Sequence, residues 1–170
     1  LEMSLTQGLD LPGTDALDTA SAGTFTFSAS GTYLFKHEVA FTATAPLVDR
    51  LNTIFNPLEF KLRAGVDWQL GAARASVTAM HVNGYTNTVI TPNENIGSYT
   101  PIDVAFSWNF GSSGWNPLDD LVGGVEVRNA LDEDPPYVNI APTANGSGGY
   151  DATASNPVGR VFAVSLRKKW

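Results

Sequence analysis

Residues 58–70 read LEFKLRAGVDWQL, and apolar and polar side chains take alternate positions. Leu58, Phe60, Leu62, Ala64, Val66, Trp68 and Leu70 form one set; Glu59, Lys61, Arg63, Gly65, Asp67 and Gln69 form the other. A period of two predicts a β-strand with one apolar and one polar face. The run lasts 13 residues, whereas strands of soluble domains are usually about 5–6 residues long.

The pattern recurs. Thr24–Phe35 sets Phe25, Phe27, Ala29, Gly31, Tyr33 and Phe35 against Thr and Ser. Ala73–Tyr85 alternates through Ala79, then blurs at His81 and Asn83. Ile102–Phe110, Leu121–Leu131 and Val158–Trp170 alternate likewise. Leu5–Leu17 makes a poorer strand, because Pro12 cannot donate to a ladder. Six or seven long strands are therefore expected. Their connections alternate in length: 36–57, 86–100 and 132–157 are long, while 18–23, 71–72 and 111–120 are short. Consecutive antiparallel strands then place short turns at one end and long loops at the other.

That asymmetry, with long two-faced strands, is the pattern of a transmembrane β-barrel wall, whose apolar side meets hydrocarbon and whose polar side meets an aqueous interior. On this reading Glu59, Lys61, Arg63, Asp67, Asp103, Glu126 and Arg128 face the lumen, most simply as salt-bridged rows across neighbouring strands. Trp68, Trp108, Phe110 and Trp170 fall at short-turn ends and Phe35, Phe60 and Tyr85 near long-loop ends, as expected of two aromatic girdles. His81 falls on the lipid-facing parity as an interfacial aromatic. A soluble, secreted β-sandwich binding a glycan or a protein is the alternative that also alternates.

Composition narrows the classes. Charged residues are 16% of the 170, against about 25% in soluble domains. The net charge of −7 and the lack of a basic cluster before Arg167-Lys168-Lys169 exclude a nucleic-acid surface. With no cysteine there is no disulfide framework and no thiolate metal site. No apolar run approaches the length of a membrane-spanning helix. The opening LEMSLTQGLD has no leader character, so an export signal would lie outside this chain, and the start in mid-pattern is expected of a fragment.

Several stretches together resemble TonB-dependent outer-membrane receptors. Val127-Arg128-Asn129-Ala130-Leu131-Asp132 followed by Pro135-Pro136-Tyr137 is similar to that family's "V-x-N-L-F-D … P-P-Y". Gly149-Tyr150-Asp151 and Asn156-Pro157-Val158-Gly159-Arg160 resemble its final loop, and VFAVSLRKKW its closing strand. Leu62–Trp68, Gly84-Tyr85-Thr86 and Ile102-Asp103-Val104 resemble late barrel strands. Ala130 and Lys168 stand where the family usually has aromatics.

The resemblance implies that residues 1–170 are the C-terminal part of a barrel of about 22 strands, with the plug domain and earlier strands absent. It implies location in the bacterial outer membrane and energised uptake of a large scarce nutrient: siderophore-bound iron, a cobalamin or an oligosaccharide. Its partners would be outer-membrane lipid, the rest of its own barrel and plug, and TonB-ExbB-ExbD through that plug. Phe162, Val164, Leu166 and Trp170 would form the C-terminal signal read by the barrel-assembly machinery. A complete small barrel from an independent gene fits less well, since even closure would need an eighth strand.

No enzyme chemistry is legible. There is no G-x-S-x-G, and His37 and His81 carry no metal-ligand or triad spacing. Asp132-Glu133-Asp134 lacks the alternating oxygen ligands and tight-turn glycine of a calcium loop, so a solvated acidic loop is expected. Asn145–Gly149 is a flexible loop with no strand before it or helix after it to make a phosphate cradle. No cofactor is implied. Tyr137 and Tyr150, on a long loop, are the candidate ligand-capturing aromatics.

Overall fold

The structure, a computed structural model, describes residues 3–111, 119–142 and 148–168. Seven long strands form one antiparallel sheet in which each pairs with the next: β1 (Met3–Thr19), β2 (Gly23–Ala40), β4 (Phe60–Leu70), β5 (Ala73–Val82), β8 (Ile102–Asn109), β9 (Leu121–Arg128) and β10 (Val161–Lys168). The two-residue β3 (Val48–Asp49) pairs with the far end of β2. A separate hairpin, β6 (Tyr85–Asn87) and β7 (Glu94–Ile96), lies within the connection after β5. The described residues contain no helix.

Register carries the alternation across the whole sheet. Phe27 pairs with Val66, Val66 with Val77, Val77 with Val104, Val104 with Val127 and Val127 with Phe162. One residue along, Ser28 pairs with Gly65, Gly65 with Thr78 and Thr78 with Asp103. Each row occupies one face, because neighbours directly opposite in a ladder point the same way. The exceptions on the apolar face sit mainly on the outermost strands: Asp15 opposite Phe27, and Lys168 opposite Leu121.

No second sheet covers this apolar face among the described residues, as a sandwich would require. Phe106 is 42% exposed, Val125 50% and Val164 76%. The sheet is open, with β1 and β10 as its edges. Pro12 lies within β1, opposite Ser30, so the poorer strand expected there is formed in full. The short turns lie at one end, where Gly71, at φ 56, closes the β4–β5 hairpin.

Burial concentrates at the other end. Ile54, Leu58, Val82, Tyr85, Ile96 and Val138 form a core among the long connections, with Ile140 and Ala154 against it. Leu58 therefore leaves the apolar row that its sequence position suggested; β4 starts two residues later, at Phe60. Tyr85, expected in an aromatic girdle, is likewise buried in this core.

The β1–β2 pair outruns the sheet. Beyond Tyr33 and Phe60, where β2 and β4 begin to pair, β2 continues to Ala40 beside β1 alone and β3. A bulge interrupts this arm: Gly8 pairs with Leu34 and Gln7 with Lys36, leaving Phe35 as the extra residue. The odd positions of β2 lie on the apolar face up to Tyr33. Past the bulge the even positions take that side, and His37 and Val39 turn to the opposite side and are buried. The region 36–57, expected as a loop, thus begins as strand.

Gly8 makes the bulge possible. A Cβ there would collide with the Leu34 side chain and lie 2.7 Å from the Tyr33 carbonyl oxygen, whereas a Cβ at Gly13 meets nothing within 4 Å. Gly8→Ala is expected to cost about 1–3 kcal/mol by overpacking and to speed amide exchange at residues 34–40. Gly13→Ala on the same strand should leave exchange unchanged; equal effects of the two would refute this account.

Candidate functional site

The polar face collects six of the seven charged residues expected there. Lys61 pairs with Thr32, Arg63 with Ser30, Asp67 with Thr26, Asp103 with Thr78, Glu126 with Ala105, and Arg128 with Val161. Two hollows lie along this face. One, of about 700 Å³, is at the short-turn end and is lined by Asp67, Arg74, Ser76, Ser107, Glu126 and Ser165 among others. The other, of about 480 Å³, lies under the long connections, between Met80, Asp103, Arg128 and Asn156. Glu59 departs from the set: it precedes β4, and its carboxylate accepts a hydrogen bond from the Tyr33 hydroxyl at 3.0 Å.

Salt-bridged rows across strands are not found among the described residues. Arg128 pairs with Glu126 at 2.6 Å and Lys36 with Glu38 at 3.1 Å, each along a single strand, and Arg160 pairs with Asp132 at 3.5 Å between two parts of a loop. Side chains two apart on a strand share a face, and here that spacing brings the partners together. Lys61, Arg63 and Asp67 project from the polar face into solvent.

Above the sheet the loops are fastened by hydrogen-bonded carboxylates and amides. Asn129, at φ 48 and buried, donates its backbone N–H to Asp103 at 2.9 Å. Its side chain exchanges two 2.9 Å hydrogen bonds with the Glu133 backbone. Asn tolerates the left-handed conformation that the turn demands. Glu133 then accepts from the Thr100 N–H at 3.0 Å, and Asp132 accepts from the Arg160 N–H at 2.8 Å. The acidic run 132–134 is thus part of a clasp joining β8, β9 and the last connection. Among the described residues no acidic, histidine or cysteine cluster is placed to hold a metal ion.

Asp151 forms a second clasp. Its carboxylate is buried, accepts from the Thr153 N–H at 2.8 Å and the Thr153 hydroxyl at 2.7 Å, and bonds the Tyr85 phenol. Burial, then the Asp151 charge, pushes the Tyr85 phenol well above the ordinary tyrosine value. Asn87 of β6, fully buried, donates to Glu94 of β7 and to the Asn139 carbonyl, which ties the hairpin to the last connection. Alternation gives no sign of these three residues, because Asn129 and Asp151 act in irregular backbone and Asn87 ends a three-residue strand too short to show a period. The motif around Asn129 was visible as a resemblance, but its clasp was not.

The ligand candidates Tyr137 and Tyr150 are brought onto adjoining backbone by the bridge between Val138 and Gly149. Tyr137 is 69% exposed beside Gly149, and Tyr150 is half-buried. On the apolar face, Phe25 pairs with Trp68 near the short turns, where the Trp68 indole donates to the Ala22 carbonyl at 2.6 Å. Phe106 and Trp108 continue that level. At the other end Tyr33, Phe60 and His81 make a tilted aromatic row, with centroids 6.4 and 5.9 Å apart. Phe162, Val164 and Leu166 stand bare on β10; Trp170 lies outside the described residues.

No protein-family model matches the chain, and no curated protein matches it in sequence. Solved structures do. Two mutant forms of the ferric enterobactin receptor PfeA of Pseudomonas aeruginosa superpose with a TM-score of 0.60 over 96% of this chain, at 18% identity. The chain has the fold of a segment of that receptor. It spans 22% of the receptor's length. Both neighbours are named as receptors.

Asp151→Ala strips the buried Tyr85 hydroxyl and Thr153 of their acceptor and is expected to destabilise the loop cap by about 1–3 kcal/mol, read as faster proteolysis of 129–160. The Tyr85 proton is held more tightly in the folded cap than in the unfolded chain. Its contribution is therefore full below the ordinary tyrosine value of 10.0 and is lost as pH rises beyond it. In absorbance titration the Tyr85 phenol should ionise last, later even than the less strongly raised Tyr99, and Tyr85→Phe should remove that final phase.

Proposed function

We propose that the chain is a C-terminal stretch of the barrel wall of a TonB-dependent outer-membrane receptor. The observation that carries this reading is a single sheet whose apolar face is bare across seven strands while its other face is charged. A hydrocarbon solvent on one side and water on the other satisfies both faces, and the ladder satisfies the backbone. Further strands of the same barrel would pair with the open edges at β1 and β10. The similarity to an enterobactin receptor favours siderophore-bound iron among the nutrients that the family resemblance implies.

In this reading the chain binds and guides; it makes and breaks no bonds. Lys61, Arg63, Asp67, Asp103, Glu126 and Arg128 line the lumen and face the plug, and Glu59 lies at its rim. The fastened loops, with Tyr137 and Tyr150, stand over the mouth as the candidate capture surface. Coupling to TonB-ExbB-ExbD runs through the plug. Phe162, Val164, Leu166 and Trp170 present the closing strand to the assembly machinery, since an unpaired edge invites strand addition.

The protein is expected to stay with the membrane fraction and to require detergent for extraction; recovery as a soluble monomer would overturn the assignment. Paired substitutions test the faces. Ala79→Arg, midway along the apolar face, should cost about 2–4 kcal/mol and deplete the folded protein in membranes. Thr78→Arg, one residue away on the polar face, should assemble nearly normally.

A further inference from the structure

The bulge at Phe35 and the aromatic row beside it occupy one level of the sheet. Below that level the outward side of β2 carries Phe25, Phe27, Ala29, Gly31 and Tyr33. Above it the same side carries Lys36 and Glu38, joined by an ion pair at 3.1 Å. The opposite side changes in the reverse sense: Ser28, Ser30 and Thr32 give way to buried His37 and Val39, and His37 accepts or donates a 2.8 Å hydrogen bond with Thr6.

Both solvents therefore change at the bulge. The side that meets hydrocarbon below carries a charged pair above, and the side that meets water below packs against folded loop above. An ion pair in hydrocarbon loses solvation that its mutual attraction does not restore. The exposed Met3 and Leu5 on the outward side of β1 do not alter this, because Leu5 sits directly opposite Glu38. Distance agrees. From Phe25, in the short-turn aromatic level, to Phe35 is ten residues. At about 3.3 Å per residue and a tilt of about 40°, that span is about 25 Å, the height of the apolar band of a membrane barrel.

We infer that the Phe35 bulge sets the outer limit of hydrocarbon contact, so that the arm above it, beginning with Lys36 and Glu38, meets lipid headgroups. This rests on the membrane reading above. It adds which residues touch acyl chains and which touch polar headgroups.

These 170 residues contain no cysteine, so each introduced thiol is the only one within them, and any thiol elsewhere in the full protein is replaced first. Single variants Ala29→Cys and Val77→Cys below the bulge, and Lys36→Cys and Glu38→Cys above it, are labelled with bimane in the full protein in native membranes. Two positions on each side keep the test valid if one variant fails to assemble. Nitroxide on lipid acyl chains should quench the lower pair several-fold more than the upper pair, and aqueous iodide should do the reverse. Equal acyl-chain quenching at all four positions places the boundary higher and overturns the inference alone. Loss of acyl-chain quenching at Ala29 and Val77 as well overturns the membrane reading with it.

Discussion

Backbone pairing from β1 through β10 keeps every long strand in step, and the two faces exist only because of that. A slip of one residue between β4 and β5 would put Val77 on the side of Asp67 and Thr78 on the side of Val66. Such a slip costs little where both faces are alike and a great deal where they meet different solvents. Gly8, Gly31 and Gly65 sit where the neighbouring strand comes close enough that a Cβ would be tight. The register is thus held by packing as well as by polarity.

Stability is divided in an unusual way. Between the ends of its strands the sheet has no fully buried side chains, while the connections and the strand ends that meet them hold the core around Ile54, Tyr85 and Val138. Burial of apolar area is what pays for ordering a chain. The sheet must find that burial outside itself, against hydrocarbon in the proposed setting. The loops find it among themselves, and the Asn129 and Asp151 clasps satisfy the polar groups that come with it.

The sheet was legible in the sequence because its signal is periodic. Six or seven long strands, the two faces and the alternation of short and long connections follow from counting positions; β1, weakened by Pro12, is the strand that the count left open. What was not legible is irregular. Leu58 looks like one more step of an apolar row, yet the chain has already turned into the loop core. Tyr85 looks like a girdle aromatic, yet Asp151 and burial claim it. The β2 bulge is hidden more deeply: the odd positions from Phe25 to Val39 are broken by a polar side chain only at His37, two residues beyond the bulge, so the pattern does not mark where the odd positions change sides. Charge pairing across strands was expected from proximity alone, but matching charges on one strand were nearer to one another.

The bulge also separates two parts of β2 that answer to different neighbours. Because Phe35 is inserted in β2 alone, β1 runs past it with unbroken parity, and the arm beyond continues the same two-stranded ladder with the sides of β2 exchanged. Residues past that step can be exchanged for others suited to new surroundings without shifting any pair between Phe25 and Tyr33. The wall and the part of the protein that stands clear of it are, in this sense, free to diverge at different rates.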